Sequence, residues 1–423
     1  MKEIRPVQDI DIALEVPGSK SLTQRALIAA ALARGSSRLI GPLESEDTLY
    51  TCKALMQMGI GVEKAEKWVV AGAAGTVLSP AEPIFLGNNG TATRFLTSVL
   101  ALSDGGGVID GGPRMHQRPI GPLMTALRGW GADISSMKGT GCPPLAITSS
   151  GLAGGKTVLP EGKSSQYLYS LLLVGPYAKK SAFLEVLGEV LSKPYVAMTL
   201  SVMSAFGIDV ECTEDFNSFS IPQGCYQGRD YRIEGDASNA SYFWAAAAVT
   251  GGRVTVTNVP VPSLQGDAML VPLLGRMGCT VSTDGNGITL QGADRLQGIT
   301  VDMGDMPDVV PTLAVVAAFA HGTTVIENIA HLRIKECDRL SAVVTELSKL
   351  GVKMEEKEDS MLIHGEGGDG LYGAEIETYE DHRMAMSLAV AGLRVPGVRI
   401  TGEECVAKSF PDFWERFALL SAG

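Results

Sequence analysis

Pro17-Gly18-Ser19-Lys20-Ser21-Leu22-Thr23-Gln24-Arg25 leads from a glycine turn straight into the alanine-rich segment Ala26 to Ala33. Proline and glycine punctuate the chain, Ser19 is a ready N-cap, and alanine is the best helix former, so the stretch predicts a turn followed at once by a helix. Lys20, Ser21 and Arg25 fall in that turn and the first helical turn. Free backbone N–H groups and the positive end of the helix dipole favour an anion such as phosphate there. Taken singly, this is an ordinary capped helix start with a solvated Arg25. Its repetition along the chain gives it weight.

An amphipathic stretch that ends in glycine and is followed by a short strand recurs at Leu49 to Glu63, Leu123 to Ser135, Thr199 to Glu211, Met269 to Ser282 and Leu340 to Glu355. The terminal glycines, Gly59, Gly131, Gly207, Gly278 and Gly351, are spaced by 72, 76, 71 and 73 residues. Glycine suits the position because the residue just past a helix often takes a left-handed conformation. In phase with it runs a second series of helix starts at Lys20, Gly90, Ser164, Asp236, Asp308 and Asp381. A fixed period of this kind is the mark of a repeated supersecondary unit, and six units are expected.

Each unit reads as a polar helix start, an apolar helix, a strand, a second helix, a glycine and a hairpin. The hairpin strands are Trp68 to Val70, Leu145 to Ile147, Phe219 to Ile221, Ile288 to Leu290 and Met361 to Ile363. The sixth unit ends on its second helix, Phe410 to Ala422, and the strands it lacks are expected from Lys2 to Val7 and Ile12 to Val16. The chain then closes on itself. This gives an α/β protein with a middle domain of three units over 19–234 and an outer domain of three units made of 1–18 plus 235–423. Crossings would lie at Pro17-Gly18 and Glu234-Gly235, a double hinge. The spacing alone leaves a single stack of six units open.

A chain of 423 residues with a formal net charge of −12 has length enough for two or three domains and lacks the basic face that nonspecific nucleic-acid binding needs. Any phosphate site must therefore concentrate its cations locally. The seven cysteines are scattered and form no C-x-x-C, and the five histidines form no H-x-x-x-H, so neither a disulfide framework nor a catalytic metal is indicated. No apolar run is longer than that of Leu313 to Ala320, which is far too short to span a bilayer, and Met1 to Arg5 has no apolar segment behind it. A soluble, cytosolic protein that begins at its own first residue, with reduced thiols, is expected.

Polar residues collect at two points of each unit. At the first helix start stand Lys20, Ser21 and Arg25; Asn88, Asn89, Gly90 and Thr91; Ser164, Ser165 and Gln166; Asp236, Ala237 and Ser238; Asp308; and Asp381, His382 and Arg383. Before the second helix stand Arg114 to Arg118, Ser192 to Tyr195, Arg333 to Arg339, and Lys408 with Ser409. Asp338 with Arg339 alone would be a surface ion pair worth under about 1 kcal/mol, and Asp381 with His382 an ordinary cap. Six such groups in register imply instead that the residues share one side of the fold. If the two domains face each other, up to six helix N-termini point into one positive cleft. Ser150 to Thr157 imitates a phosphate-binding P-loop, but Ser150 stands in place of its first glycine and Pro160 forbids the helix that must follow. It reads as a glycine-rich turn between strands.

Gly18-Ser19-Lys20-Ser21, Gly87-Asn88-Asn89-Gly90-Thr91, Arg118-Pro119-Ile120, Ser164-Ser165-Gln166, Ser192-Lys193-Pro194-Tyr195, Asp236-Ala237-Ser238, Lys335-Glu336-Cys337-Asp338-Arg339, Asp381-His382-Arg383-Met384-Ala385-Met386 and Lys408-Ser409-Phe410 resemble, in this order, the EPSP synthase family. The resemblance implies two domains of three βαβαββ units, each inside-out and barrel-like, hinged at two crossings. It also implies transfer of the enolpyruvyl group of phosphoenolpyruvate to the 5-hydroxyl of shikimate 3-phosphate with release of phosphate. No cofactor, metal, nucleic acid or membrane is involved, and a cytoplasmic monomer is expected. By the same resemblance Lys20, Ser21, Arg25, Ser164, Ser165, Gln166, Ser192, Asp308, His331 and Lys335 hold shikimate 3-phosphate. Lys20, Gly90, Arg118, Gln166, Arg339, Arg383 and Lys408 hold phosphoenolpyruvate. Asp308 takes the hydroxyl proton, and Glu336 or Lys20 supplies one to the methylene carbon.

The physics agrees with that allotment. Two polyanions must be brought together, and like charges 4 Å apart cost about 4 kcal/mol per pair at an effective dielectric near 20. Lys20, Arg25, Arg118, Lys335, Arg339, Arg383 and Lys408 can offset this, and arginine suits the forked bonds of carboxylate and phosphate. Glu336, flanked by Lys335 and Arg339, tends to stay ionised unless desolvation or bound anions raise its proton affinity.

Three residues depart from the family pattern. His331 stands where asparagine is usual, and as an anion donor it should gain from protonation near pH 6 to 7. Asn89 replaces a small residue and Phe95 a proline or leucine beside the phosphoenolpyruvate pocket, the site that the inhibitor glyphosate occupies in this family. With Gly90 retained, sensitivity to moderate tolerance is expected. The sister class, UDP-N-acetylglucosamine enolpyruvyl transferase, usually carries a reactive cysteine on the loop matching Gly111 to Arg118, and this loop has none. A noncatalytic repeat scaffold would not need Asp308, Glu336 and seven cations at equivalent places.

Overall fold

The computed structural model describes residues 1–161, 164–283 and 287–421. The chain forms two compact units, Gly18–Ile233 and Met1–Pro17 with Glu234–Gly423. In the first unit the helices are α1 (Lys20–Leu32), α2 (Glu46–Gln57), α3 (Gly90–Leu100), α4 (Gly121–Gly129), α5 (Ser165–Val174) and α6 (Lys193–Ala205). In the second they are α7 (Ala237–Thr250), α8 (Leu270–Arg276), α9 (Val310–Ala318), α10 (Arg339–Lys349), α11 (His382–Ala391) and α12 (Phe413–Ala418). The odd-numbered helices open the six repeats and the even-numbered ones follow. The last second helix is shorter than the expected Phe410 to Ala422, and Ala422 lies outside the described residues.

One sheet plan recurs. Gly107–Asp110 lies parallel to Ile84–Phe85 and antiparallel to Leu145–Thr148, which pairs with Asp133–Ser136. Ala182–Val186 likewise lies parallel to Gly155–Leu159 and antiparallel to Ser218–Ile221, which pairs with Glu211–Cys212. Ser150 to Thr157 is thus a glycine-rich link into a strand. Arg34–Ile40 has the same antiparallel neighbours, Lys67–Ala73 and then Gly61–Glu63, but its parallel partner is Asp230–Arg232, from the end of the unit. In the other unit the equivalent place beside Arg253–Val256 is filled by Asp11–Leu14. Each unit therefore closes on a strand that precedes, in sequence, the first helix of the other. Lys2–Glu3 completes the last sheet against Arg399–Ile400. Both N-terminal strands are shorter than Lys2 to Val7 and Ile12 to Val16. The sheets are separate and, among the described residues, none closes into a barrel.

The odd-numbered helices are the cores. Every residue of α9 and α11, and all but the last of α7, is buried. Beyond their polar first turns these helices are mostly apolar on every side, as buried helices are, and their small residues let backbones approach. Hydroxyl groups at repeat-equivalent places bridge them: Ser98 to Ser170 at 3.0 Å between α3 and α5, and Ser241 to Thr312 and Thr312 to Ser387, both 3.1 Å, across α7, α9 and α11. The even-numbered helices from α2 to α10 end on Gly59, Gly131, Gly207, Gly278 and Gly351, which hold φ of +83, +93, +93, +117 and +93°. These angles are the left-handed region where glycine has no steric penalty.

Candidate active site

The polar residues of Gly18–Ile233 gather at the starts of α1, α3 and α5. Ser19 caps α1, its hydroxyl accepting from the Leu22 N–H at 3.3 Å. Lys20 is the first helical residue, its Nζ 3.2 Å from Asp47 Oδ2 at the start of α2. Asn89 caps α3 by accepting from the Ala92 N–H at 2.9 Å, and donates to the Asp47 carbonyl at 2.7 Å. Gln24 of α1 also donates to Asn89, at 3.5 Å. Asn89 thereby ties α1, α2 and α3 together behind Gly90, a use that a small residue could not serve. Arg118 crosses Gly90 so closely that a Cβ there would lie 2.4 Å from its Nη2 and 2.6 Å from its Nη1. Gln166, on the first turn of α5, donates to the Thr91 hydroxyl at 3.3 Å. Ser164 caps the same helix and Ser165 is buried. Ser192, the N-cap of α6, holds φ +55°, an uncommon left-handed angle for a residue other than glycine.

Arg25 is not solvated. It is 0% exposed, its Nε donates to Thr199 Oγ1 at 2.8 Å, and its terminal nitrogens donate to the Ser21 and Tyr195 carbonyls at 2.9 and 3.2 Å. Its guanidinium lies 4.2 Å from the ring centre of Tyr169. Burial pushes its proton affinity below the ordinary arginine range. Phe95 is buried edge-on to Tyr169, with ring centres 5.4 Å apart, and is also near Arg25, so the ring that departs from the family pattern braces this arginine.

In the other unit an ion-pair network spans the starts of α9, α10 and α11. Arg339 donates to Asp381 Oδ2 at 2.7 Å, Asp308 Oδ1 at 3.0 Å and Glu336 Oε2 at 2.9 Å. Arg383 donates to Asp308 Oδ2 and to the Tyr242 hydroxyl, both at 3.0 Å. Lys408 reaches Glu336 Oε1 at 3.2 Å. Arg339 and Arg383 are 1% and 2% exposed, and an uncompensated charge so deep would cost several kcal/mol. Burial opposes the charge on Arg339, but the carboxylates of Asp381, Glu336 and Asp308 outweigh it and hold the guanidinium well above its usual range. Asp338 is a cap, accepting from the Ser341 N–H at 3.1 Å and pairing with Arg333, and the surface pair with Arg339 does not form.

His331 overturns one expectation. It is 7% exposed, and both ring nitrogens lack a hydrogen-bond partner. Burial first, and then the charges of Lys335 and Arg339 against that of Asp308, push it down to about 3. Burial thus favours the neutral imidazole, against the expected gain from protonation near pH 6 to 7.

The structure thus joins Lys20 with Asp47 in one unit, and Gly90 with Arg118. In the other it joins Asp308, Glu336, Arg339, Arg383 and Lys408, with His331 and Lys335 beside them. Asp47, Asp381 and Tyr242 were not singled out as site residues. Asp47 occupies the repeat position before a second helix, a signal that was available. Asp381 reads as a cap and does serve as one, accepting from the Arg383 N–H at 2.9 Å while holding Arg339. Nothing local marks the Tyr242 hydroxyl, which lies inside an apolar helix.

Repeated sheet-and-helix units with paired cations and carboxylates at the helix starts define an enolpyruvyl transferase fold. The enolpyruvyl transferase NikO from Streptomyces tendae matches with a TM-score of 0.80 at 19% identity, covering 99% of this chain and 96% of that one, a likeness of fold. EPSP synthase from Acinetobacter baumannii matches with a TM-score of 0.81 at 30% identity, covering 99% and 97%. The sequence model of EPSP synthase (3-phosphoshikimate 1-carboxyvinyltransferase) matches residues 4–417. The 3-phosphoshikimate 1-carboxyvinyltransferases of Syntrophobacter fumaroxidans and Photobacterium profundum are 45% and 41% identical, over 100% and 99% of this chain and 100% and 98% of theirs. The chain belongs to the EPSP synthase family.

Proposed function

We propose that this chain transfers the enolpyruvyl group of phosphoenolpyruvate to the 5-hydroxyl of shikimate 3-phosphate, giving 5-enolpyruvylshikimate 3-phosphate and phosphate. The observation that carries the assignment of roles is the network of Asp308 and Glu336 with Arg339, Arg383 and Lys408. Lys20, Gly90, Arg118, Gln166, Arg339, Arg383 and Lys408 hold phosphoenolpyruvate. Lys20, Ser21, Arg25, Ser164, Ser165, Gln166, Ser192, Asp308, His331 and Lys335 hold shikimate 3-phosphate, His331 as a neutral N–H donor.

Asp308 takes the 5-hydroxyl proton while the oxygen bonds to the substituted carbon of phosphoenolpyruvate and Glu336 gives a proton to its methylene carbon. From the tetrahedral adduct phosphate then leaves and the proton roles reverse. Glu336 is favoured over Lys20 as donor because its two oxygens rest on Arg339 and Lys408. A substrate anion that takes those cations removes what keeps the carboxyl ionised and raises its proton affinity. Lys20 loses no such partner, since its carboxylate is Asp47.

The enzyme works as a cytoplasmic monomer without metal or cofactor; among the described residues no helix is long and apolar enough to cross a membrane. The test is phosphate release from phosphoenolpyruvate with shikimate 3-phosphate against the same assay with UDP-N-acetylglucosamine. Release with the first acceptor alone is expected, and release with the nucleotide sugar alone would refute the assignment.

A further inference from the structure

Glu346 is a buried acid that the mechanism above does not use. It is 0% exposed on α10, about two turns after Arg339, so the two side chains lie on one face of that helix. Its Oε1 accepts from the Tyr379 hydroxyl at 2.7 Å and its Oε2 from the Glu377 N–H at 3.0 Å, while Lys349 Nζ donates to the two oxygens at 2.9 and 2.7 Å. Arg339 grips the same segment further on, donating to Asp381 Oδ2 from Nε at 2.7 Å and to Oδ1 from Nη2 at 3.2 Å. Helix α10 therefore holds the segment 377–381 at both ends. Within it residues 378–381 form a reverse turn, closed by the Asp381 N–H on the Thr378 carbonyl at 2.8 Å. The central residues, Tyr379 and Glu380, hold φ of +54 and +55°. Such places ordinarily go to glycine or asparagine, and a residue with a Cβ stays there only where its surroundings fix it. Here the Tyr379 ring packs against the core of the unit and its hydroxyl is tied to Glu346.

We propose that Glu346 and Tyr379 are positioning residues for phosphoenolpyruvate: their hydrogen bond keeps the strained turn closed, and the turn aims the Asp381 carboxylate that orients Arg339. The inference rests on the reading that Arg339 holds phosphoenolpyruvate. Arg339 also donates to Asp308 and Glu336, so its direction depends on three carboxylates staying in place. Asp381 makes the shortest of these contacts, and the turn before it sets where it stands. Loss of the tie to Glu346 lets the left-handed angles at 379 and 380 relax, and the guanidinium shifts with Asp381. A displacement of about 1 Å in a group that clamps a substrate can cost 10²-fold, so even partial relaxation is measurable.

Glu346→Gln sets an amide NH2 against a donor, either the Tyr379 hydroxyl or the Glu377 N–H, and Tyr379→Phe removes one oxygen while keeping the ring. Each should raise KM for phosphoenolpyruvate about tenfold, with kcat within about threefold of the wild type and affinity for shikimate 3-phosphate within about twofold. Steady-state phosphate release and titration calorimetry give the three values. A merely structural role lowers the urea midpoint but leaves KM where it was, because the molecules that remain folded are normal. A KM within about twofold of wild type in Tyr379→Phe, or equal weakening of both substrates, overturns the proposal. Tyr379→Phe carries the test alone should Glu346→Gln fail to fold. Arg339→Lys separates the inference from the reading beneath it. If that variant raises KM for phosphoenolpyruvate and Tyr379→Phe does not, the role of Glu346 and Tyr379 fails alone. If Arg339→Lys leaves KM unchanged, the assignment of Arg339 fails and the inference with it.

Discussion

Gly90→Ala tests the phosphoenolpyruvate end of the site. The added methyl carbon would sit 2.4 Å from Arg118 Nη2, 2.6 Å from Nη1 and 2.7 Å from Cζ. Ordinary contact begins near 3.4 Å, so the guanidinium must retreat by about 1 Å. Its bonds to the Asn88 carbonyl and Asn88 Oδ1 are already 3.4 Å long and would not survive the move. If Arg118 binds the substrate anion, the displacement forfeits one charge-assisted hydrogen bond, about 1.5–3 kcal/mol. KM for phosphoenolpyruvate should then rise about 10- to 150-fold with a smaller change in kcat. Glyphosate, the longer molecule, loses the same bond and meets the methyl group as well, so its inhibition constant should rise by more than KM does. The assay is steady-state phosphate release with phosphoenolpyruvate varied at saturating shikimate 3-phosphate, with and without glyphosate. Combining Gly90→Ala with Arg118→Ala should add little to the loss of either alone, because both act through one guanidinium. A KM and an inhibition constant both within twofold of wild type would show that Gly90 and Arg118 do not line this pocket.

Three further outcomes are expected. Asp308→Ala should lower kcat by 10²-fold or more while shikimate 3-phosphate still binds, as single-turnover kinetics and titration calorimetry would show; retention of more than about a tenth of the activity would refute the proton-transfer role. Arg25→Ala should weaken shikimate 3-phosphate binding and also destabilise the fold by about 2–4 kcal/mol in urea denaturation, because it opens a cavity and removes the buried hydrogen bonds to Thr199, Ser21 and Tyr195. For His331, with a native pKa near 3 against 6.5 unfolded, the unfolded state binds the extra proton, so stability is lost as pH falls below 6.5. His331→Asn should gain about 1.4 kcal/mol on the wild type between pH 7.5 and 5.5, and the affinity ratio for shikimate 3-phosphate should stay flat from pH 5.5 to 8. Equal acid sensitivity of the two proteins would refute the buried neutral imidazole.

Much of the site could be read along the chain because a repeat places chemistry at fixed intervals. Lys20, Gly90, Ser164, Asp236, Asp308 and Asp381 fall at or beside the first turn of the six first helices, and that register does not depend on knowing what packs against them. Individual partnerships were not legible. Arg25 is expected to hold a substrate anion, but its burial beneath Tyr169 is not legible, because its neighbours on α5 and α6 lie more than 140 residues away in sequence. His331 reads as a pH-sensitive donor and is held neutral by burial, a property of its surroundings rather than of its residue type.

The same division holds for the fold. Periodicity and glycine placement determine the helices, their left-handed ends and the number of units, since those depend on contacts within a few residues. Which strand completes which sheet is decided at long range. Asp230–Arg232 precedes α7 in sequence yet pairs with Arg34–Ile40, and Asp11–Leu14 precedes α1 yet pairs with Arg253–Val256. Both are short strands that pair in parallel with their partners. Their assignment comes from the way the chain is drawn in at the two crossings: the Asp236 N–H bonds to the Pro17 carbonyl at 2.8 Å, and the Asn258 side chain bonds to both the N–H and the carbonyl of Val16. Hydrogen bonds between residues more than 200 positions apart follow from folded geometry, and no pattern along the sequence encodes them.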